Sequence, residues 1–296
     1  MQQQRSILDE LKHQYNNGGI FMKLIFINVI VFLVINILDV TGRLLQGDAL
    51  IVIDSIIDSV FTVKTHPLAF IKEPWGLITN MFSHKGFLHL AFNMLLLYSF
   101  GRMFLQFFSQ KRLLYTYLLG GIFGVLFEMG ANIFPAISST SALGASGAVM
   151  AIIFAVSAHR PNLEAHLFGV LKVKLIYIAG ALFLINFLKL GVDDGVARFA
   201  HIGGAALGLI SVQNLQSSNN IITMAQRFGD WFRSLFRKKP KLTVNKGNAR
   251  QMTDEEYNAD KKRRQEQTDR ILDKISKSGY ESLTKKEKDF LFKQSK

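Results

Sequence analysis

Polar side chains interrupt three otherwise apolar stretches of the chain, and their residue types can serve as nucleophiles, proton acceptors or hydrogen-bond donors. His89 and Asn93 are four residues apart, about one helical turn, so they share a helix face. Ser146 lies in a Gly-Ala-Ser-Gly run, and His201 follows Ala200 at the start of a glycine-rich stretch. If these stretches span a membrane, each polar group is costly there and is a candidate site residue.

The composition is that of a membrane protein. Of the 296 residues, 49% are hydrophobic and only 19% are charged, whereas soluble domains carry about a quarter charged residues. The 25 phenylalanines exclude disorder for most of the chain, because so much aromatic surface is not left in water. The absence of cysteine excludes a disulfide framework, a thiolate zinc site and a cysteine nucleophile.

Apolar segments of about the length of a membrane span recur along the first 215 residues. A spanning helix needs about 20 apolar residues, with a range of about 17–25, so the first five segments are long enough and the last is short. The sequence therefore predicts an all-α polytopic membrane protein, with a six-helix core over residues 21–215. The predicted segments are 21–38, 87–105, 113–133, 141–157, 168–190 and 198–212.

The distribution of Lys and Arg predicts the orientation of these segments. Basic residues lie before the first segment, between the second and third, between the fourth and fifth, and after the sixth. By the positive-inside rule, both termini face the cytoplasm, and residues 1–20 form a cytoplasmic N-terminal segment. The long outer loop, about residues 40–85, is amphipathic and predicts short helices that lie in the membrane interface.

This topology places the polar residues at one depth. Segments two, four and six all run from the outside inwards and carry their polar residues near their starts, so Ser146, His89 and His201 lie roughly 5–8 Å below the outer surface. Taken singly, the serine, the histidines, Asn93 and the glycines have ordinary roles in helix packing. Their coincidence in depth and side predicts a common site that opens to the outer face.

These residues resemble those of the bacterial rhomboid intramembrane serine proteases, over about residues 20–215. The resemblance implies a six-transmembrane-helix rhomboid-like bundle in the bacterial cytoplasmic (inner) membrane, and substrates that are themselves transmembrane proteins. It also implies peptide-bond cleavage within or beside the bilayer. The matching motifs are Gly144-Ala145-Ser146-Gly147, the run His84…His89…Asn93, and Ala200-His201 followed by Gly204 and Gly208.

The resemblance assigns a role to each polar residue. Ser146 matches the nucleophile and His201 the general base of a catalytic dyad. His89, Asn93 and the backbone N–H of Ser146 match the groups that stabilise the oxyanion, and His84 matches a neighbouring polar position. No metal or cofactor is implied.

Glycines and the outer loop bear on the same assignment. Gly144, Gly147, Gly204 and Gly208 remove side chains where helices four and six must meet, which allows a close backbone approach. Asp193 and Asp194 belong to an outer loop, so no carboxylate is expected beside His201. One departure from the family is Leu105, which stands near the position where many bacterial members have an acidic residue late in helix two.

Other functions are less consistent with the residues. The chain has no His-Glu-x-x-His zinc motif and no pair of intramembrane aspartates for an aspartyl mechanism. A transporter would use mid-membrane charge or broken inverted repeats, which the segments do not show. A proteolytically inert rhomboid-like chaperone would share the fold, but such members lose the serine or the histidine.

The C-terminal tail is polar and basic. From Ala225 onwards it carries 20 Lys and Arg against 11 Asp and Glu, a net +9 of the chain's +13. The sequence of residues 222–239 predicts a basic amphipathic helix that lies on the anionic inner leaflet of the membrane. The alternative interpretation of the same residues is a soluble helix packed on the core. Residues 240–296 predict a cytoplasmic, partly helical tail in which Thr284 and Glu287 form a capping box. Nucleic acid is not an expected partner, because the charges are mixed and aromatic residues are sparse.

Overall fold

A computed structural model describes the protein over residues 6–131, 133, 141–167, 171–190, 192, 196–236 and 254–294. The described chain is mainly helical, as the sequence predicts. It forms two compact units, Met1–Arg237 and Lys238–Lys296. Three sets of residues lie outside the described ones: residues 238–251, which the sequence predicts as a linker, the predicted outer-loop residues Asp193 and Asp194, and Phe168.

The first unit contains eleven described helices and two short β-ladders. The helices in chain order are α1 Ile7–Asn17, α2 Gly19–Leu45, α3 Gly47–Phe61, α4 Pro67–Lys72, α5 Gly76–Thr79, α6 Phe87–Phe104, α7 Gln110–Ala131, α8 Ser146–His159, α9 Leu175–Leu188, α10 Arg198–Ser211 and α11 Ile221–Phe236. The strands are β1 Val63–Lys64, β2 Ser141–Ala142, β3 Glu164–Leu167 and β4 Leu171–Lys174, and a 3₁₀ turn covers Asn80–Phe82.

Within the described residues, α2, α6 and α7 are long and apolar enough to cross a membrane, and α8 and α9 are shorter apolar helices of 14 residues each. Together they define a multi-pass membrane protein. The predicted start of the fifth segment, residue 168, is wrong, because α9 begins only at Leu175. The residues before it pair instead as an antiparallel hairpin, in which Glu164 lies opposite Lys174.

Helix α8 forms the centre of the bundle. Every residue from Gly147 to Ser157 is buried, because α6, α7 and α10 cover the helix. A helix that is apolar on all sides suits this position. A 14-residue helix is about 21 Å long, shorter than the hydrocarbon core of a bilayer. Because protein surrounds it, α8 does not need to match the lipid thickness itself.

The segment between α2 and α6 is folded into short helices, as the sequence predicts. It is tied together by side-chain bonds to backbone, such as Trp75 Nε1 to the carbonyl oxygen of Ser59 at 2.8 Å. Strand β1 pairs with β2, so that Val63 lies opposite Ala142. This ladder joins the segment between α2 and α6 to the residues that immediately precede α8.

Helix α11 packs against the first turns of α7. Lys111 Nζ donates to Asp230 at 2.5 Å, and Arg112 donates to the side-chain oxygen of Asn220 at 2.9 Å. That oxygen also accepts from the backbone N–H of Ile222, which caps the start of α11. The opposite face of α11 is apolar and exposed, with Phe228, Trp231 and Phe232 among its residues.

The second unit is helical in its described part. Helix α12, Asp254–Ser278, is followed by a 3₁₀ turn at Tyr280–Ser282 and by α13, Lys285–Gln294. The predicted capping box is present, because the backbone N–H of Thr284 donates to Glu287 at 2.7 Å. This bond, the bond from the Thr284 hydroxyl and the ammonium of Lys274 lower the pKa of Glu287 to about 2.

Candidate active site

Ser146 is the first residue of α8, and the loop before it is held from two sides. Strand β2 pairs with β1, and the backbone N–H of Gly144 donates to the carbonyl oxygen of Asn80 at 2.9 Å. Gly144 has a φ of +132°, a conformation that L side chains rarely adopt. The loop can therefore turn sharply into α8 and present Ser146 at the start of the helix.

His201, on the first turns of α10, lies beside Ser146. Its Nε2 is 2.6 Å from Ser146 Oγ, although the two residues are 55 positions apart in the chain. This approach depends on glycine, since a Cβ atom on Gly204 would clash with the backbone carbonyl of Gly147. One turn later, a Cβ atom on Gly208 would clash with the carbonyl of Ala151.

The second ring nitrogen of His201 contacts α9. His201 Nδ1 forms a short hydrogen bond with Oδ1 of Asn186, and the two side chains are partly buried. The Nδ2 group of Asn186 donates to the carbonyl oxygen of Leu182 at 2.7 Å. The imidazole is thus held between a hydroxyl on α8 and an amide on α9.

Ala200, the residue before His201, is fixed by α7 and α8. Its backbone N–H donates to Glu128 Oε2 at 3.1 Å, and Glu128 is only 2% exposed. A Cβ atom on Gly124 would lie 2.8 Å from the carbonyl oxygen of Ala200, and a Cβ atom on Gly147 would lie 3.1 Å from the same oxygen. The start of α10, and with it His201, is therefore positioned by a buried carboxylate and two glycines.

His89 and Gly144 form the opposite side of the site. A Cβ atom on Gly144 would lie 3.1 Å from His89 Cε1 and 3.5 Å from Ser146 Oγ, so the space between these side chains exists because residue 144 is glycine. Asn93 is buried and donates through Nδ2 to the carbonyl oxygen of His89 at 2.9 Å. His84 is buried behind them, with its ring centroid 5.1 Å from that of His89.

A small cavity of about 10 Å³ lies next to Ser146. This volume is close to the minimum that holds one water molecule. Its lining includes the polar side chain of Asn80 as well as Ser146. Among the described residues, no three His, Cys, Asp or Glu side chains are grouped so that they could hold a metal ion.

Two residues of this site are absent from the sequence-based assignment, Asn186 and Glu128. Both are strongly polar residues within apolar segments, so the rule that singled out His89 and Ser146 applies equally to them. Leu105, the residue that departs from the family pattern, directly follows the last residue of α6 and packs against the apolar core. A buried carboxylate, that of Glu128, stands instead on α7.

Comparison with known proteins identifies two parts of this chain. Residues 72–215 match the Rhomboid domain, and residues 251–296 match a family of unknown function (DUF6576). The first match, over just under half of the chain, identifies a Rhomboid domain there.

Several curated rhomboid proteins are similar to it. The rhomboid protease AarA of Providencia stuartii is 31% identical over 52% of this chain and 60% of its own length. The mitochondrial RHOMBOID-like protein 6 of Arabidopsis thaliana is 31% identical over 56% of this chain and 52% of its own. The rhomboid protease GluP of Bacillus subtilis (strain 168) is 29% identical over 50% of this chain and 29% of its own. The chain spans about half the length of the first two relatives.

Proposed function

We propose that this protein is an intramembrane serine endopeptidase that cleaves transmembrane or juxtamembrane peptide bonds of other membrane proteins. The observation that carries the proposal is the 2.6 Å contact between His201 Nε2 and Ser146 Oγ inside a helical bundle. A serine hydroxyl is a weak nucleophile until a base accepts its proton, and this contact supplies the base. Two of the relatives are named rhomboid proteases, which supports the same reaction class.

In the proposed reaction, Ser146 Oγ attacks the carbonyl carbon of the scissile peptide while His201 Nε2 takes the hydroxyl proton. The tetrahedral intermediate collapses by breaking the C–N bond, and His201 donates that proton to the leaving amine. Water then attacks the acyl-enzyme while His201 Nε2 takes its proton, and the second tetrahedral intermediate collapses by breaking the ester C–O bond. His201 returns the proton to Ser146 Oγ, which releases the carboxylic acid and restores the enzyme. The cavity beside Ser146 is a suitable place for that water, because it is small and partly polar.

We assign the developing oxyanion to the space between Ser146 and His89. The backbone N–H of Ser146 is at the N-terminus of α8, where helix N–H groups have no partner within the helix. An amide side chain has two N–H donors, and Asn93 uses one of them on the carbonyl oxygen of His89. The second N–H of Asn93 and the ring of His89 complete the proposed donor set, with His84 packed behind as a supporting residue.

We also propose the domain organisation and topology predicted from the sequence. The core, residues 21–215, crosses the membrane six times, with the active site open to the outer face and both termini in the cytoplasm. The basic amphipathic segment 222–239 lies on the inner leaflet, and residues 240–296 form a cytoplasmic tail. The exposed aromatic face of α11 supports this placement, because burying such a face in the lipid of the interface is favourable, whereas leaving it in water is not. We assign the protein to a bacterial inner membrane.

The decisive experiment measures cleavage of a single-span test substrate by the purified full-length protein in liposomes. Wild type is expected to release two fragments, and Ser146→Ala is expected to release none. Ser99→Ala, which alters a half-buried serine of α6, is the matched control and should cleave like wild type. Cleavage by Ser146→Ala at the wild-type rate would refute the proposed function.

A further inference from the structure

Asn186 fixes which way its own amide group points. Its Nδ2 lies 2.7 Å from the carbonyl oxygen of Leu182, one turn earlier on α9. Because a carbonyl oxygen can only accept a hydrogen bond, the amide nitrogen must face Leu182 and the amide oxygen must face His201. The orientation of Asn186 is therefore set by α9 itself.

This orientation determines the tautomer of His201. The amide oxygen of Asn186 can only accept, so Nδ1 of His201 must carry the proton in the hydrogen bond that joins them. In a neutral imidazole the other nitrogen is then unprotonated. That nitrogen is Nε2, which faces Ser146 Oγ and can accept the hydroxyl proton.

We infer that Asn186 is a positioning residue for the Ser146–His201 pair: it holds the imidazole in the tautomer and orientation in which Nε2 acts as the base. The inference rests on the proposed serine-protease function. In a serine–histidine–aspartate triad, a carboxylate occupies this position on the histidine. Here a neutral amide supplies the same acceptor geometry without the charge.

The difference between amide and carboxylate makes the inference testable by pH. A carboxylate at position 186 would still accept from Nδ1, but it would also stabilise the positively charged imidazolium. Among the described residues, the other titratable groups that act on His201 or on the first turn of α10 are His89 of α6, Arg198 of α10 and Glu128 of α7. These three are the same in every variant below, so a shift between variants reports on residue 186.

The experiment measures the rate at which a fluorophosphonate labels Ser146 in the purified full-length protein, from about pH 5 to about pH 9, a range that brackets ordinary histidine titration. The variants are Asn186→Leu, which removes the acceptor, and Asn186→Asp, which keeps it. The matched control is Asn36→Leu, because Asn36 on α2 also donates one turn back, to Phe32 at 2.7 Å, and does not belong to the site. Thermal melting checks that each protein is folded.

Asn186→Leu is expected to slow labelling roughly 10- to 100-fold, less than the loss of about 10⁴-fold that follows when a triad holds the wrong tautomer. Asn186→Asp is expected to label well at high pH, with the acidic limb of its profile moved to higher pH than in wild type. Asn36→Leu should match wild type. If Asn186→Leu does not fold, the profile of Asn186→Asp decides the question.

Two results would overturn the inference. One is labelling of folded Asn186→Leu at the rate of Asn36→Leu, and the other is a profile for Asn186→Asp that coincides with wild type. Both leave the serine-protease proposal intact, provided that Ser146→Ala abolishes labelling and cleavage. Cleavage that persists in Ser146→Ala would instead refute the proposed function, whatever the behaviour of residue 186.

Discussion

Glu128 of α7 accepts a hydrogen bond from the backbone N–H of Ala200, 3.1 Å away in the first turn of α10. The first N–H groups of a helix have no partner within the helix, so this carboxylate caps α10 from a neighbouring helix. His201 is the next residue in the chain. The carboxylate thereby holds the backbone one residue before the proposed base.

Replacing Glu128 should destabilise the start of α10. Glu128→Ala leaves the N–H of Ala200 without its acceptor, which costs about 1–3 kcal/mol when the group is buried. Glu128→Gln is the matched control, because an amide oxygen can still accept from Ala200. We expect a clearly lower melting temperature for Glu128→Ala than for Glu128→Gln in the same detergent. Equal melting temperatures for the two variants would show that the capping bond does not stabilise the helix.

Gly144 should not tolerate even a methyl group. Alanine at this position would have to adopt a φ of +132° and would place its Cβ atom 3.1 Å from His89 Cε1, in the space assigned to the oxyanion. Misplacing reacting groups by about 1 Å can cost about 100-fold in rate, so Gly144→Ala should lose at least that much cleavage activity. Gly180→Ala is the control, because a Cβ atom there meets nothing within 4 Å. Wild-type turnover by Gly144→Ala would show that the oxyanion does not form in this space.

The sequence was sufficient to locate most helices of the core. Long apolar runs mark α2, α6 and α7, and the glycines at positions 204 and 208 indicate the close contact between α8 and α10 that the structure contains. The start of α9 was not predictable from hydrophobicity. Leu167 and Leu171 are as apolar as a helix requires, but they pair across a hairpin, and strand pairing of this kind depends on tertiary context.

The composition of the candidate site was only partly predictable. Local motifs draw attention to Ser146 and His201, and both lie together in the structure. Asn186 and Glu128 stand in no motif, and their importance depends on which helix faces which. The contact between α9 and α10 that brings Asn186 to His201 spans 15 residues of sequence and has no periodic signal. Polar residues inside apolar segments would have been the right signal for both.

The proposed topology predicts where reporter domains will be located. Fusions after Arg112, after Arg160 and within the tail should report the cytoplasm, because basic loops remain inside. A fusion within the loop near residue 134 should report the outer side. The measurement is the paired activity of a reporter that is active only in the cytoplasm and one that is active only outside it. An outer location for the tail would contradict the common depth of Ser146, His89 and His201.

The C-terminal unit should lose its capping box in acid. Glu287 has a folded-state pKa of about 2, below the value of about 4.3 for an unperturbed glutamate. Its ionised form therefore stabilises the fold fully above about pH 4.3, and this contribution is lost as the pH falls towards 2. Hydrogen exchange of the amides around Thr284, corrected for intrinsic rates, should rise over that interval in the full-length protein.

Variants separate this effect from general acid unfolding. Glu287→Ala should show the fast exchange already at neutral pH and little further change in acid. Glu266→Ala, which alters an exposed glutamate of α12, should behave like wild type. If exchange around Thr284 is the same in Glu287→Ala and Glu266→Ala, the capping box does not hold the start of α13.

The strongest test of the mechanism is whether Ser146 and His201 act as one unit. If they do, Ser146→Ala, His201→Ala and the double variant should have nearly the same residual rate, because removing either member removes the whole covalent contribution. Asn93→Ala should behave differently, with turnover lowered roughly 10- to 1,000-fold while a fluorophosphonate still labels Ser146. The measurement is cleavage of one single-span substrate in liposomes by all four variants and wild type, each checked by thermal melting. Losses that simply add in the double variant would show that the two residues work independently, and the dyad would then be wrong even though the 2.6 Å contact exists.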